Sequence, residues 1–240
     1  MAYISVVIPC YNESLSIPTL FQKAQYVTSN YDIEIIFIDN GSNDGTWNIM
    51  KNLKLNKKIK CLRIEENKGY GYGIKFALKH ASGKYIGWTH ADLQTDLFDV
   101  ILAYQKIKQA GLRKNNQIFY AIKGVRFGRK LSDVFISYGM SSLMRIFFFP
   151  WKTYEINAQP SIYHYSILSH VDKFPDDYNL DIYAYLLSFS LKFQQLRFPV
   201  LFPSRIYGES HWNMNVLSKL VFIKNSLSFI IKMFFKFKKF

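Results

Sequence analysis

Short β-branched runs alternate with helical patterns through the first half of the chain, and this alternation restricts the fold more than any other feature. Strand-like runs fall at 4–8, 34–38, 59–64, 85–88 and 118–122, with helical periodicity near 14–29, 45–56, 70–81 and 96–110. Strands separated by helices of this length build βαβ units and a mostly parallel sheet. Ligands of such sheets sit beyond the carboxyl ends of the strands. Polar clusters fall at those ends: Tyr11-Asn12-Glu13, Asp39-Asn40-Gly41-Ser42, Glu65-Glu66-Asn67 and His90-Ala91-Asp92. The expectation is an α/β fold with one site along one sheet edge.

Composition narrows the partners. Hydrophobic residues make up 49% of the 240, enough for a sizeable core and against disorder. The two cysteines, Cys10 and Cys61, each lie in a strand-like run, which excludes a disulfide framework and fits a reducing compartment. The net charge of +14 calls for an anionic partner, and six lysines follow the last acid, Glu209, unopposed. Those lysines lie on an apolar terminal pattern instead of mixing with stacking aromatics, which argues against nucleic acid. No signal peptide is expected ahead of the run at 4–8, and no uncharged apolar run approaches the ~20 residues of a membrane span. A cytoplasmic location is expected.

The second half is less regular. Residues 131–151 are apolar and aromatic, broken by Asp133 and Arg145. A helix is expected at about 179–192 and a strand at about 194–202. From Val216 the pattern is a basic amphipathic helix, with Leu217, Leu220, Val221, Phe229, Ile230, Phe234 and Phe237 set among lysines. It suits either an anionic membrane surface or packing on the core. The 131–151 stretch could meet the same surface. The division expected is one domain over 1–213 and this helix over 214–240.

Three segments carry chemistry. "ENKGYGYGIKFAL" (66–78) places glycines after a strand and before a helix, but their spacing and position miss the dinucleotide fingerprint. That leaves a tight turn with close helix packing, or backbone approach to a ligand, and makes an NAD enzyme improbable. In "FIDNGSNDGT" (37–46), capping explains Asp44 but leaves Asp39 and Asn40 as ligand contacts. In "GWTHADLQTD" (87–96), Asp92 with Gln94 two places on suits a hard divalent cation, and His90 could add a nitrogen ligand. Thr95 and Asp96 are better placed than Asp92 to cap the following helix.

Together these clusters resemble the nucleotide-sugar-binding half of family 2 glycosyltransferases of GT-A fold, most closely the dolichyl- or polyprenyl-phosphate sugar transferase branch. "VVIPCYNES" resembles the family's first strand and loop, "IDNGSNDGT" its "DDGSxDGT" segment, and "HADLQTD" its "DADLQ" stretch with the DxD metal motif. "GVRFGR" (124–129) and "RIYGES" (205–210) resemble segments lining the phosphates and the acceptor. The resemblance implies a GT-A, Rossmann-like sheet with helices on both faces. It implies donor contacts from Pro9, Tyr11, Asn12, Glu13, Lys68, Gly69, His90 and Ala91, with Asp39 and Asn40 on the base. Asp92 would hold Mn²⁺ or Mg²⁺ at the donor phosphates, with Gln94 and His90 near it. Arg126, Arg129, Ser137 and Arg205 would serve phosphate or acceptor.

Three departures bear on specificity. His90 replaces the first DxD acid, and Asn40 replaces the second acid of the base-binding pair. An amide can donate as well as accept, so Asn40 opens the choice of base. Asp133 stands where polyprenyl-phosphate enzymes tend to carry a further arginine, so the acceptor is either polyprenyl phosphate or a lipid-linked glycan. A hydroxyl acceptor needs a base, for which Asp181 is the candidate; a structural role for Asp181 is the alternative. The implied activity is metal-dependent, inverting sugar transfer in cell-surface glycan synthesis, at the cytosolic face of the membrane. The alternative is a non-catalytic nucleotide-sugar-binding or scaffold protein.

Overall fold

The structure is a computed structural model that describes residues 2–113, 118–129, 131–203 and 216–237. Its strands are β1 (Ile4–Cys10), β2 (Ile33–Asn40), β3 (Ile59–Ile64), β4 (Tyr85–Trp88), β5 (Tyr120–Phe127), β6 (Ser161–His164) and β7 (Gln194–Leu201). The helices are α1 (Ile17–Asn30), α2 (Thr46–Met50), α3 (Tyr70–Leu78), α4 (Asp99–Arg113), α5 (Leu131–Phe147), α6 (Asn179–Ser190) and α7 (Val216–Phe237).

One seven-stranded sheet runs β3-β2-β1-β4-β6-β5-β7. β6 is antiparallel to both its neighbours, and the other pairings are parallel. Six strands therefore end at one edge, and β6 begins there. β2 and β3 lie on one side of β1 and β4 on the other, so the topological switch point falls between the exits of β1 and β4. The expected mostly parallel sheet is present. β6 was not foreseen, because its four residues are all buried and show no alternation. Its approach to β4 depends on Gly87, where a Cβ would lie 2.1 Å from the Ser161 carbonyl oxygen.

Period-two alternation sorts the strand residues between two cores. Val6, Ile8, Ile35 and Phe37 pack with α1, α2 and α4, whereas Val7, Ile36, Ile38 and Ile86 pack with α3, α5, α6 and α7. In α7, Ile230, Met233 and Phe237 are buried in the second core, and Phe229 and Phe234 pack against it. Val221 is exposed. One face of this helix is therefore core, while Lys224, Lys232 and Lys236 stay at the surface. No helix among the described residues is long and apolar enough to cross a membrane.

Candidate active site

The first two loops of the carboxyl edge are laced together. β1 ends in a turn at Asn12, whose φ is 57°. The Asn12 N–H donates to Ser42 Oγ at 3.0 Å, and Asn12 Oδ1 accepts from the Asn43 N–H at 3.0 Å. The N–H groups of Glu13 and Ser14 donate to Thr46 Oγ1 and Asp44 Oδ2 at 2.8 and 3.0 Å. Burial alone would raise the Asp44 pKa, but hydrogen bonds from Thr46 and Ser14 outweigh it and hold it below the ordinary value. Asp44 is thus structural, as its sequence position suggested. Glu13 accepts from the Ser16 hydroxyl at 2.9 Å at the start of α1.

Asp39 and Asn40, at the end of β2, are both buried. Asp39 Oδ1 accepts from the Ser42 N–H at 3.2 Å, while Oδ2 has no hydrogen-bond partner among the described residues and lies 3.7 Å from Arg63 Nε. The Asn40 amide donates to the Gly69 carbonyl at 2.9 Å and to Asn67 Oδ1 at 3.3 Å, and its Oδ1 has no hydrogen-bond partner among the described residues. Buried acceptors are seldom left bare. Two on adjacent residues at a strand exit make this a candidate ligand position. The amide's donors are committed internally, so Asn40 offers the site an acceptor, as the acid it replaces would.

The glycine-rich segment serves packing first. Gly69 has φ 102°, and a Cβ on Gly71 would lie 2.2 Å from the Pro175 carbonyl oxygen. Backbone contact with the 175–177 loop, more than ligand approach, explains Gly71. Lys68 lies over the Tyr72 ring, 5.4 Å from its centroid.

At the switch point, Asp92 is buried and its Oδ1 accepts from the Gln94 N–H at 3.0 Å across Leu93, whose φ is 59°. Gln94 Nε2 reaches the Pro203 carbonyl at 3.1 Å, which ties this loop to the end of β7. Asp96 accepts from the Phe98 N–H at 3.0 Å and so caps α4, leaving Asp92 outside that role. The His90 ring packs on Tyr70 with centroids 6.2 Å apart. Burial, then the charges of Asp181 and Asp92, hold the Tyr70 phenol far above its ordinary pKa. His90, Asp92, Tyr70 and Asp181 therefore belong to one locality.

Among the described residues no three His, Cys, Asp or Glu side chains form a metal cage. Mg²⁺-type sites rely on one or two carboxylates plus substrate phosphates. The buried, loop-presented carboxylate of Asp92 fits that arrangement.

The far side of the switch point is set by register. Trp88, Ser161, Lys123 and Arg197 are successive partners across β4, β6, β5 and β7. Asp181, at the start of α6, accepts from Trp88 Nε1 at 2.9 Å and from Gln159 Nε2 at 2.8 Å, both on Oδ1. Lys123 is 1% exposed and donates to Ser161 Oγ. Burial drives its pKa down to about 7; Asp181 opposes the shift, and Arg197 and Arg126 add to it. The Arg197 guanidinium donates to the Tyr154 carbonyl and the Tyr185 hydroxyl.

Arg126, Arg129 and Ser137 come together around Glu155, a residue that sequence alone did not single out. Glu155 accepts from Arg126 Nε and from Arg129 at 2.7 Å each. Ser137 Oγ accepts from both arginines, at 3.4 and 2.8 Å. Burial would raise the Glu155 pKa, but the two guanidinium groups hold it below its ordinary value. Arg129 Nε has no hydrogen-bond partner among the described residues. Arg205 lies outside the described residues. Trp88, Lys123, Glu155, Gln159 and Arg197 were not foreseen, and the one available signal was Lys123, a charge inside the apolar run "YAIKGV".

The profile of glycosyl transferase family 2 matches residues 5–171. A dolichyl-phosphate beta-glucosyltransferase of Dictyostelium discoideum is 29% identical over 107 residues, 40% of this chain and 33% of that protein. A dolichol-phosphate mannosyltransferase of Pyrococcus furiosus is 32% identical over 91 residues, 38% of this chain and 26% of that protein. The chain matches about a third or less of the length of these relatives. Glucosyl-3-phosphoglycerate synthase of Mycobacterium tuberculosis, solved with Mn²⁺, uridine-diphosphate-glucose and phosphoglyceric acid, superposes with TM-score 0.68 at 16% identity, covering 95% of this chain and 80% of that one. A mannosyltransferase of Pyrobaculum calidifontis, solved with GDP-Man and Mn²⁺, superposes with TM-score 0.60 at 17% identity, covering 87% and 58%. At these identities the superpositions establish the GT-A fold. With the profile spanning most of the sheet and its carboxyl edge, the chain belongs to glycosyl transferase family 2.

Proposed function

We propose that this protein transfers a sugar, with inversion, from a nucleoside-diphosphate sugar to polyprenyl phosphate or a lipid-linked glycan at the cytosolic face of a membrane, in cell-surface glycan synthesis. One observation carries the donor half: the buried acceptors Asp39 Oδ2, ion-paired to Arg63 but without a hydrogen bond among the described residues, and Asn40 Oδ1, also without one, stand at one strand exit, on the same sheet edge as the buried carboxylate of Asp92. They would receive N–H groups of the base, while Pro9, Tyr11, Asn12 and Glu13 border the ribose. Asp92, with Gln94 and His90 beside it, would hold Mn²⁺ or Mg²⁺, which when bound supplies positive charge to the departing diphosphate.

The remaining chemistry falls to the acceptor side. Arg126 and Arg129 would position an anionic acceptor or offset the charge that develops on the leaving group, with Arg205 assigned the same role from sequence. A phosphate acceptor attacks the anomeric carbon as an anion and needs no base. A hydroxyl acceptor would give its proton to Asp181, whose carboxylate Trp88 and Gln159 hold in one orientation.

The test is calorimetric titration with UDP, GDP and CDP, each with Mn²⁺ and again with EDTA. Metal-dependent binding of one nucleotide is expected. A folded protein that binds none would instead be a non-catalytic scaffold.

A further inference from the structure

Helix α5 is apolar on two faces. Its inner face is core: Met144 is fully buried, and Phe147 packs on Phe234 of α7 with centroids 5.5 Å apart. Its outer face is bare. Leu131, Phe135, Tyr138, Ile146 and Phe149, the last just beyond the helix, are 61–85% exposed. Their spacing, through Ser142, follows one helical stripe about eighteen residues long. A stripe of this size on a protein surface marks an interaction site.

Charge selects the partner. From Leu131 to Tyr154 the ionisable side chains besides tyrosine are Asp133, Arg145 and Lys152, with both basic ones on the longer stretch after Asp133. Arg145 is exposed and lies 5.7 Å from the centre of the Tyr138 ring. The adjoining α7 adds Lys224, Lys232 and Lys236 at the surface, and no acid follows Glu209. A second copy of the same basic face would be repelled. An anionic bilayer satisfies both the aromatic stripe and the surrounding cations.

The stripe also adjoins the acceptor cluster. Ser137, which accepts from both Arg126 and Arg129, lies on α5 next to Tyr138. At the exits of β5 and β7, Phe127 and Leu201 are register partners and are 53% and 54% exposed. Apolar surface therefore borders the arginine pair.

We infer that the outer face of α5 rests on an anionic lipid surface and brings the Arg126–Arg129 cluster to the headgroup level. The seating of the acceptor rests on the transfer reaction proposed above; lipid contact by α5 does not. The test is flotation of the full-length protein with vesicles of phosphatidylcholine containing about 30% phosphatidylglycerol, and with phosphatidylcholine alone. Binding to the anionic vesicles is expected, falling at least about tenfold in Phe135→Ser/Phe149→Ser, since each exposed ring contributes apolar area to the bilayer contact. Circular dichroism and nucleotide titration check that the variant is folded and its donor site intact. Equal flotation of variant and wild type would assign the lipid contact to the α7 lysines and overturn the inference. So would the absence of wild-type flotation, or a wild-type dimer that the variant dissolves. Loss of nucleotide binding with flotation retained would count against the transferase reading alone.

Discussion

Replacing Lys123 by methionine tests the charge balance beneath the site. The lysine pKa falls from 10.5 to about 7 on folding, with burial as the main cause. At ~1.36 kcal/mol per unit, that difference costs the fold at most about 5 kcal/mol. The folded pKa lies below the unfolded one, so between the two values the unfolded chain binds the proton that the folded chain lacks. Stability should therefore rise with pH through this window and level off below it. From about pH 7 to about pH 9 this group alone should add ~2 kcal/mol. Methionine keeps the stem's packing and cannot ionise, so Lys123→Met should lose that increment. It should also be the more stable protein at neutral pH, less ~1 kcal/mol for the hydrogen bond to Ser161. Urea unfolding of both proteins at the two pH values measures it, because other titrating groups cancel in the difference. Parallel pH dependence in the two proteins would mean that the ammonium stays charged in the fold, and would refute the reasoning.

Asp92→Asn should weaken Mn²⁺-dependent nucleotide binding at least about tenfold while leaving metal-free binding unchanged, as read by calorimetry. Asp181→Asn should retain turnover on a polyprenyl phosphate and lose about 100-fold or more on a hydroxyl acceptor; full activity on the latter would remove the base assignment. Gly71→Ala should cost about 1–3 kcal/mol in urea melts, because its Cβ would meet the Pro175 carbonyl at 2.2 Å. His164 stacks on Phe119 at 3.8 Å, and burial, then the charge of Lys84, lowers its pKa to about 4. Wild type should lose stability as pH falls from the unfolded value of 6.5 towards that pKa, and His164→Phe should flatten the loss.

The first half of the fold was legible because each strand there is followed by a helix whose period differs from its own. Ile33–Asn40 and Ile17–Asn30 declare themselves within their own residues. β6 does not: four buried residues between irregular segments become a strand only by pairing with β4 and β5. The same limit applies to α5 and α7. Both read as apolar with basic residues, but which face is core depends on neighbours. Only the packed structure shows that α7 turns Ile230 and Phe237 into the core while α5 leaves Phe135 and Ile146 bare.

The strand-exit part of the candidate site was readable because its side chains sit where sequence position and spatial position coincide. The cluster around Arg126 and Asp181 was only partly so, because Glu155, Gln159 and Arg197 reach it from separate segments. Their presence changes the electrostatic argument. Lys123, Arg126, Arg129 and Arg197 surround Glu155 and Asp181, and the Lys123 amine is only partly protonated at neutral pH. Among the described residues the tightest group sets two guanidinium groups, Arg126 and Arg129, against the one carboxylate of Glu155, with side chains only 13%, 6% and 5% exposed. A buried excess of positive charge is costly unless an anion offsets it. Arg129 Nε, which has no hydrogen-bond partner among the described residues, is a donor such an anion could take. An acceptor phosphate would fill both needs, whereas a neutral sugar hydroxyl would supply neither. Within the proposed reaction, this imbalance favours a phosphate-bearing acceptor.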